Sequence, residues 1–257
     1  MTRIAPADIT ETHLLGGRVH CFQPRRGYRT AIDAVLLAAA VPAGDGDKVL
    51  DIGTGVGSAA FCLAARVPGA RVSGFELQPG FAELAGMGIA ANGFADRVNI
   101  VSGDLLAPPA DLAPASFDHV MANPPYMPAG RGNPPPDAMK AKATVEGAAK
   151  LADWAHFAAA MVKPGGSVTF VHRADRLDDV EHAFAAAGLG AFRVLPIAPS
   201  AGAPPKRVIV RGRKGEVAET RVEPPLVLHG AATSQDGARR PYTETVNSIL
   251  RDAGSLL

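Results

Sequence analysis

Short apolar runs alternate along this chain with longer segments in which apolar residues recur every three to four positions. The short runs have the pattern of buried strands and the longer segments that of helices packed by one face, an alternation typical of a mostly parallel sheet with helices on both faces. We expect the last strand to run antiparallel, as a hairpin partner of the strand before it. The predicted strands, seven in all, cover residues 48–52, 71–76, 97–101, 116–122, 167–172, 192–195 and 206–210. The predicted helices cover residues 34–40, 58–67, 79–92, 144–162, 177–187 and 241–253.

The alternating pattern divides the chain into two parts. Residues 1–47 do not fit a nucleotide-binding core, so we expect them to form an extension on the substrate side. Residues 48–257 carry the alternating pattern and form the main predicted domain. Within this domain, residues 127–142 are dense in proline and glycine. Because a long segment of this kind is typically functional or disordered, we predict a mobile flap over the substrate.

A glycine-rich turn follows the first predicted strand. Asp51 lies near the end of that strand, and Gly53, Thr54, Gly55 and Gly57 follow it. Glycines allow a tight strand-to-helix turn whose backbone approaches a ligand closely. The spacing differs from the G-x-G-x-x-G of dinucleotide-binding dehydrogenases, whose third glycine falls one residue later. A carboxylate here suits a positively charged ligand group more than a pyrophosphate, which indicates the amino-acid end of S-adenosylmethionine.

Acidic residues follow the next two predicted strands. Glu76 ends the second strand, where a carboxylate can accept both ribose hydroxyls of an adenosine group; the alternative is a capping or surface carboxylate. Leu77 follows it and is assigned to the same cofactor site. Asp104 leaves the third strand and could accept a hydrogen bond from an adenine amino group, with Leu105 as an apolar wall. A Gly–Asp pair is also ordinary turn chemistry.

The fourth predicted strand ends in a stiff loop, Asn123-Pro124-Pro125-Tyr126. Two prolines cannot continue a strand, and the residue before a proline is restricted to extended backbone. The loop therefore presents one amide side chain, one carbonyl that no local N–H claims, and one aromatic ring. Two such oxygens can accept both protons of a flat amino group, and the ring can stack on the plane that carries it. An ordinary proline-rich turn is the alternative.

Basic residues occur in local groups, although the formal net charge of the chain is only +1. Arginines interleaved with aromatic residues near the amino terminus suit stacking on bases as well as packing, and an ordinary solvated face is the alternative. A basic strand edge can also serve to prevent aggregation. The candidate RNA contacts are Arg25, Arg26, Tyr28, Arg29, Lys140, Lys206 and Arg207.

Composition narrows the class of protein further. The apolar content of 47% in 257 residues supports an ordinary core. Cys21 and Cys62 are too few for a disulfide framework or a four-thiolate zinc site, and we predict no metal centre. The first residues lack the apolar run of a signal peptide and no stretch approaches the length of a membrane span, so we predict a cytoplasmic protein. The oligomeric state is left open.

The motifs together resemble a known family. The Asp51–Gly57 turn, Glu76, Asp104 and the Asn123–Tyr126 loop are similar to those of class I S-adenosylmethionine-dependent methyltransferases that modify exocyclic or amide nitrogens. The resemblance covers residues 48 to about 211. It implies a Rossmann-like fold, S-adenosylmethionine as the cofactor, and catalytic roles for Asn123, Pro124, Pro125 and Tyr126.

A narrower resemblance includes both ends of the chain. Residues 22–29, Asp33 with the following helix, and residues 226–230 with Tyr242 are similar to tRNA1(Val) adenine-N6 methyltransferases. The resemblance implies a tRNA partner and an adenine acceptor next to the anticodon. The alternatives are N5-glutamine methylation of a protein release factor, N-methylation of a small molecule, and a non-catalytic S-adenosylmethionine- or RNA-binding module. Release-factor enzymes carry a larger helical amino-terminal domain, which about 47 residues are too few to form.

Overall fold

The computed structural model describes residues 4–26, 30, 32–110, 112–126, 147–230 and 241–256. The predicted flap 127–142, Tyr28, Arg29 and Lys140 lie outside these ranges. The strands are β1 Ile9–Leu14, β2 Val19–Pro24, β3 Lys48–Ile52, β4 Arg71–Glu76, β5 Val98–Ser102, β6 Phe117–Ala122, β7 Val162–Arg173, β8 Leu189–Ser200, β9 Arg207–Lys214, β10 Arg221–Val222 and β11 Leu226–His229. The helices are α1 Ile32–Ala40, α2 Ser58–Arg66, α3 Pro79–Asn92, α4 Leu151–Met161, α5 Leu177–Ala186 and α6 Glu244–Asp252.

The main sheet has the order β10-β8-β9-β7-β6-β3-β4-β5, with β11 also paired to β8. Strands β3 to β7 pair in parallel, whereas β9 runs antiparallel to both β7 and β8. The predicted fold class is therefore confirmed. The last predicted strand, residues 206–210, corresponds to β9 and runs antiparallel as predicted. The strand count differs, because the described part of this sheet contains nine strands rather than seven. The two additional strands, β10 and β11, are short segments beside β8.

The two faces of the sheet bury separate cores. In β3, Val49 joins the cluster that contains α1 and α2, whereas Leu50 and Ile52 join the cluster that contains α4 and α5. Val171 and Phe170 of β7 divide in the same way. Successive side chains of a strand point to opposite faces, so this division explains why the predicted strands are nearly continuous apolar runs. None of the described helices has the length and apolarity needed to cross a bilayer.

Strand β8 is longer than predicted and includes two prolines, Pro196 and Pro199. The predicted strand ends at residue 195, but β8 continues to Ser200. On one side, β10 pairs with β8 as far as Val194, and β11 begins pairing at Ile197. Pro196 falls in the gap between these two short strands. A proline has no N–H to donate, and at this position no ladder partner on that side requires one.

The amino-terminal part contains a hairpin that the sequence did not predict. Strands β1 and β2 pair antiparallel as a separate two-stranded sheet. They are joined by a tight turn in which Gly16 and Gly17 adopt φ values of 65° and 98°. β1 has apolar residues only at its two ends, so its sequence gives no clear strand alternation. The helix that follows packs with α2 and β7 in the main core.

Three predicted helix starts are wrong, and one of them is that of α6, which begins at Glu244 rather than at residue 241. Helix α4 begins at Leu151 rather than at residue 144, because the Asp153 carboxylate accepts the Lys150 N–H at 2.7 Å and defines the first turn. Residues 144–146 lie outside the described part. Helix α1 begins at Ile32 rather than at residue 34, so Asp33 lies in its first turn. The Asp33 carboxylate pairs with the Arg207 guanidinium.

Candidate active site

The order of strands reverses between β3 and β6, and the loops that leave these strands lie side by side. Ile52 at the end of β3 is the register partner of Ala122 at the end of β6. On the other side of β3, Ile52 is the register partner of Phe75 in β4, and Glu76 of β4 is the register partner of Ser102 in β5. Ligands of open parallel sheets bind at the carboxyl ends of strands at such a reversal. The structure thus brings the glycine turn, Glu76, Asp104 and the Asn123 loop to one edge, as predicted.

The glycine turn has the backbone that its sequence requires. Gly53, Gly55 and Gly57 have φ values of 66°, 59° and 87°, in the left-handed region that disfavours other residues. The N–H groups of Gly53 and Thr54 both donate to the carbonyl of Phe75, at 2.8 and 3.1 Å. These bonds join the turn to the end of β4. The turn is therefore a fixed backbone surface facing the crevice.

Asp51 is buried beneath this turn. Its Oδ2 accepts a hydrogen bond from the Thr54 hydroxyl at 2.6 Å, and the residue is 2% exposed. Burial raises the pKa of Asp51 to about 7; the Thr54 hydrogen bond opposes this shift, and the nearby Glu76 carboxylate adds to it. The chain supplies no cation to this carboxylate among the described residues. A positively charged ligand group near the turn would favour its ionised form.

Glu76, the last residue of β4, links that strand to the glycine turn. Its Oε2 accepts the Gly55 N–H at 2.8 Å and its Oε1 accepts the Gln78 N–H at 2.8 Å. Burial raises its pKa, and these backbone donors oppose the shift. Each carboxylate oxygen has two lone pairs, so both can accept a further donor such as a ribose hydroxyl. Leu77 is 61% exposed next to it.

Asp104 and Leu105 form the rim of the same edge. The Oδ1 of Asp104 accepts the Leu106 N–H at 2.9 Å, which is ordinary turn geometry and leaves its other oxygen available. Leu105 is half-buried and packs against the core on the α4 side. An apolar wall beside a carboxylate is compatible with the edge of an adenine ring.

Trp154 is a site residue that the sequence analysis missed. A Cβ added to Gly53 would lie 2.6 Å from the Cη2 atom of Trp154. The indole of α4 therefore packs directly on the first glycine of the turn. The two residues are far apart in sequence, and nothing in the spacing of either motif indicates this contact.

The Asn123 loop leaves β6 beside the glycine turn. Pro124 is buried, whereas Asn123, Pro125 and Tyr126 are half-buried. Within the described part of the chain, the Asn123 side chain has no assigned hydrogen bond, so its amide oxygen is available to a ligand. The Tyr126 carbonyl accepts a long hydrogen bond of 3.5 Å from the Arg176 guanidinium at the start of α5.

The sequence comparisons identify the family. Residues 30–175, more than half of the chain, match the methyltransferase small domain family. A relative from Porphyromonas gingivalis, named tRNA1(Val) (adenine(37)-N6)-methyltransferase, is 33% identical over 211 residues, which is 79% of this chain and 82% of the relative. The chain belongs to the methyltransferase small domain family. It is an S-adenosylmethionine-dependent methyltransferase.

Two further comparisons are useful for the methyltransferase. A crystal structure of a predicted O-methyltransferase from Agrobacterium tumefaciens has a TM-score of 0.69 and 24% identity, covering 87% of this chain and 98% of that one. At that identity it supports the fold alone. A release factor glutamine methyltransferase from Chlorobaculum tepidum is 36% identical over 94 residues, but these are only 36% of this chain and 32% of that protein.

The ring of Tyr126 contacts a residue of the methyltransferase that is distant from it in sequence. The Arg207 guanidinium lies over it, 5.2 Å from the ring centroid. The Nε of Arg207 also donates to Asp33 Oδ2 at 3.1 Å. Arg207 is the register partner of Arg173 in β7, and Arg173 pairs in turn with the Asp175 carboxylate.

His172 is buried next to this edge of the methyltransferase. It is 1% exposed, and among the residues that the structure describes neither ring nitrogen has a hydrogen-bond partner. Burial lowers the pKa of His172 to about 4, and the charges of Arg176 and Arg207 lower it further, while Asp179 opposes them. The histidine is therefore neutral at physiological pH. No sequence pattern indicates this histidine, because it lies within an apolar strand pattern.

Three other predicted RNA contacts, Arg25, Arg26 and Lys206, belong to the described residues and lie on the surface. Arg25 is exposed and its Nε donates to the Ala7 carbonyl at 2.8 Å. Arg26 and Lys206 are exposed as well. Thr30 Oγ1 lies 2.7 Å from Ser58 Oγ. Thr30 therefore contacts the first residue of α2, beside the glycine turn.

Proposed function

We propose that this enzyme transfers a methyl group to the N6 nitrogen of an adenine in tRNA, at the position beside the anticodon of a tRNA1(Val)-type substrate. The extent of the similarity to the Porphyromonas gingivalis enzyme, 79% of this chain at 33% identity, carries this proposal. A second named tRNA1(Val) (adenine(37)-N6)-methyltransferase, from Shewanella amazonensis, is 26% identical over 88% of this chain. The release-factor similarity covers a much shorter segment.

The chain offers a coherent set of groups for the cofactor. When bound, S-adenosylmethionine supplies a methyl group on a positively charged sulfur. We assign the glycine turn and Asp51 to its amino-acid end, because a buried carboxylate without a cation suits an ammonium group. We assign Glu76 to the ribose hydroxyls, Asp104 to the adenine amino group, and Leu77 and Leu105 to the apolar faces of that ring.

Asn123 and Pro124 activate the acceptor nitrogen in this proposal. The lone pair of an adenine amino group is delocalised into the ring, which makes the nitrogen a poor nucleophile. Hydrogen bonds from its two protons to the Asn123 amide oxygen and the Pro124 carbonyl favour a pyramidal nitrogen with a localised lone pair. Both acceptors interact more strongly as positive charge develops on the nitrogen, so they act mainly in the transition state.

Tyr126 holds the base and aligns it. A base must leave its stack before its amino group can enter such a crevice, and an aromatic ring replaces the lost stacking. Because Pro124 and Pro125 fix the backbone between Asn123 and Tyr126, the ring and the two acceptors keep a constant spacing. Alignment of this kind accounts for a large part of a rate enhancement.

The proton balance needs no strong base. A nitrogen–carbon bond forms as the methyl group leaves the sulfur, and the product nitrogen then carries a positive charge and an extra proton. A methylated adenine amino group in this state is strongly acidic and loses that proton to water. Asn123 releases its hydrogen bond when the proton leaves.

Three arginines lie at the Tyr126 edge of the site. Arg176 and Arg207 both contact Tyr126, and Arg173 lies next to Arg207. Each of these arginines is paired with a carboxylate of the chain, Asp175, Asp179 and Asp33 respectively for Arg173, Arg176 and Arg207, so a phosphate backbone passing this edge would compete with those carboxylates. We further propose that the amino-terminal extension 1–47 forms the substrate side of the enzyme and that the enzyme acts in the cytoplasm, where tRNA is available.

The experiment is a parallel incubation with labelled cofactor. Purified protein is given total tRNA, total ribosomal RNA and release factors separately, and digested RNA is analysed for N6-methyladenosine. We expect label in tRNA, in a single modified nucleoside. Label in the release factors alone would show glutamine methylation instead. Cofactor binding without transfer to any of the three would indicate a non-catalytic module or a small-molecule acceptor.

A further inference from the structure

Three metal-ligating side chains meet on the β1–β2 hairpin, away from the crevice. His13 and His20 are directly opposed across the two strands, and Glu11 lies two residues before His13 on the same face. The Glu11 Oε1 atom lies 2.6 Å from Nδ1 of His20 and 3.3 Å from Nε2 of His13. All three potential ligand atoms lie within 4.8 Å of one another. We call this group the hairpin cluster.

We propose that the hairpin cluster binds a divalent transition-metal ion of the zinc type, with water completing the coordination. Two imidazole nitrogens and one carboxylate oxygen are a donor set that zinc uses in proteins, leaving one position open. At zinc–ligand distances of about 2.1 Å, tetrahedral ligand atoms lie about 3.4 Å apart. The Glu11–His13 distance already matches, and the Glu11–His20 distance must open by less than about 1 Å. Magnesium and calcium prefer oxygen ligands and are not expected here.

The composition of the hairpin cluster suits a cation. Glu11 supplies a carboxylate oxygen that lies close to a ring nitrogen of each histidine. Among the described residues, the ion-pair partners of Glu11 are these two histidines and no lysine or arginine. All three side chains are 38% to 50% exposed, so an ion can reach them and their rings can turn towards it.

The backbone of one ligand is already fixed. The His20 N–H donates to Asn92 Oδ1 at 2.8 Å, and Asn92 Nδ2 donates to the His20 carbonyl at 2.7 Å. This pair of bonds ties β2 to the last residue of α3, and it limits the reorganisation that binding requires. Cys21 is excluded as a ligand, because it is buried on the opposite face of the hairpin.

The metal would have a structural effect on the rest of the enzyme. Phe22 is the register partner of Glu11, and both Phe22 and Ile9 pack against the cluster of Val56 and Phe81, next to the glycine turn. An ion that joins the two strands would stiffen the hairpin and its contact with that turn. The inference does not depend on the acceptor, because the hairpin lies before residue 30, where the family similarity begins.

The test is a metal titration of the full chain after treatment with a chelator. Zinc chloride is titrated at neutral pH by calorimetry into wild type, Glu11→Gln, His13→Gln and His20→Gln, with magnesium chloride as a second titrant. We expect one equivalent of zinc in the wild type and at least tenfold weaker binding in each variant. The matched control is His182→Gln, which removes an exposed histidine from α5 and should bind zinc as wild type does.

A second measurement separates the site from loss of folding. Hydrogen exchange of the wild type should show slower exchange of hairpin amides when zinc is added, and the Asn92→Ser variant should bind zinc more weakly although it keeps all three ligands. Cobalt substitution should give the visible absorption of a low-coordinate site in wild type and none in His13→Gln. Zinc binding that survives in all three ligand variants, or that is no tighter than magnesium binding, would overturn the proposal.

Discussion

The guanidinium of Arg207 lies over the ring of Tyr126, with its Cζ atom 5.2 Å from the ring centroid. The same guanidinium pairs with Asp33 at 3.1 Å, across 174 positions of sequence. Asp33 thus fixes Arg207, and Arg207 fixes the ring next to the proposed acceptor oxygens. The sequence suggested Arg207 as a phosphate contact, but the structure gives it two partners within the chain. We infer that it positions Tyr126.

Replacing Arg207 by Met should therefore impair base positioning rather than cofactor binding. A cation–π contact contributes roughly 0.5 to 2 kcal/mol, so we expect kcat to fall about two- to thirtyfold. The affinity for S-adenosylmethionine should stay unchanged. In a Tyr126→Leu background, Arg207→Met should have little additional effect, because the ring it positions is gone. Single-turnover rates of the four proteins measure this coupling.

The neighbouring Lys206 provides the control for a phosphate role. It is exposed and has no contact with Tyr126 among the described residues. If a residue binds a phosphate, its loss weakens RNA binding for all sequences and reduces the salt slope by about one. We expect this of Lys206→Met and not of Arg207→Met. A reduced salt slope in Arg207→Met, with additive losses in the Tyr126→Leu background, would assign Arg207 to the RNA backbone instead.

Replacing Asn123 by Ala should abolish transfer and leave the cofactor site intact. The amide oxygen acts in the transition state, and removing one such acceptor costs about a hundredfold to a thousandfold in kcat. Asn123 is half-buried at the end of β6 and has no assigned hydrogen bond among the described residues, so the fold should tolerate the change. Equilibrium binding of S-adenosylmethionine and single-turnover transfer to tRNA are the measurements. Equal losses of binding and transfer would contradict the assigned role.

Much of the candidate site followed from local sequence. The carboxyl ends of parallel strands meet at one edge of a sheet, so the motifs after β3, β4, β5 and β6 could be grouped before their positions were known. The glycine spacing also fixed the type of turn, since Gly53 and Gly57 both have positive φ values. The roles of these residues in binding and catalysis stay predictions.

The contacts missed by the sequence analysis are those between distant segments. Trp154 packs on Gly53, and Asp33 reaches Arg207. No periodicity encodes such pairs, because each partner has an ordinary local explanation as part of a helix or strand. The predicted end of β8, before Pro196, is wrong for a related reason. A proline normally ends a strand, but β8 continues through Pro196, which falls in the gap between β10 and β11.

The affinity for S-adenosylmethionine should rise with pH through about 7. Without ligand, burial raises the pKa of Asp51 from 3.8 to about 7, so the carboxyl is largely protonated below that pH. A cationic ligand group prefers the carboxylate, and binding then releases a proton. Below the pKa we expect affinity to increase by up to about tenfold per pH unit, with a plateau above it. Calorimetry between pH of about 6 and 8 tests this, because the α-amino group of the cofactor loses its own charge above about 8.

Asp51→Asn is the matched variant for the pH experiment. An amide can still accept the Thr54 hydroxyl, so the turn should keep its structure, but it cannot ionise. Its affinity should be lower above pH of about 7 and nearly independent of pH. The same shift predicts that burial of Asp51 lowers the stability of the unliganded fold as pH rises from about 4 to 7, since the folded state holds the extra proton. A wild-type affinity that does not change with pH would remove Asp51 from the cofactor site.

His172 should make the enzyme less stable in mild acid. Its pKa in the folded state is about 4 and its ordinary value is 6.5, so the unfolded chain binds the extra proton between these values. Stability is therefore lost as pH falls from about 6.5 to 4, and at pH of about 5 the loss is about 2 kcal/mol. His172→Leu removes this term while keeping an apolar side chain in a site that is 1% exposed. Urea unfolding of both proteins should give curves that diverge in favour of His172→Leu as pH falls, whereas parallel curves would mean that His172 is protonated, or has a partner, in the folded state.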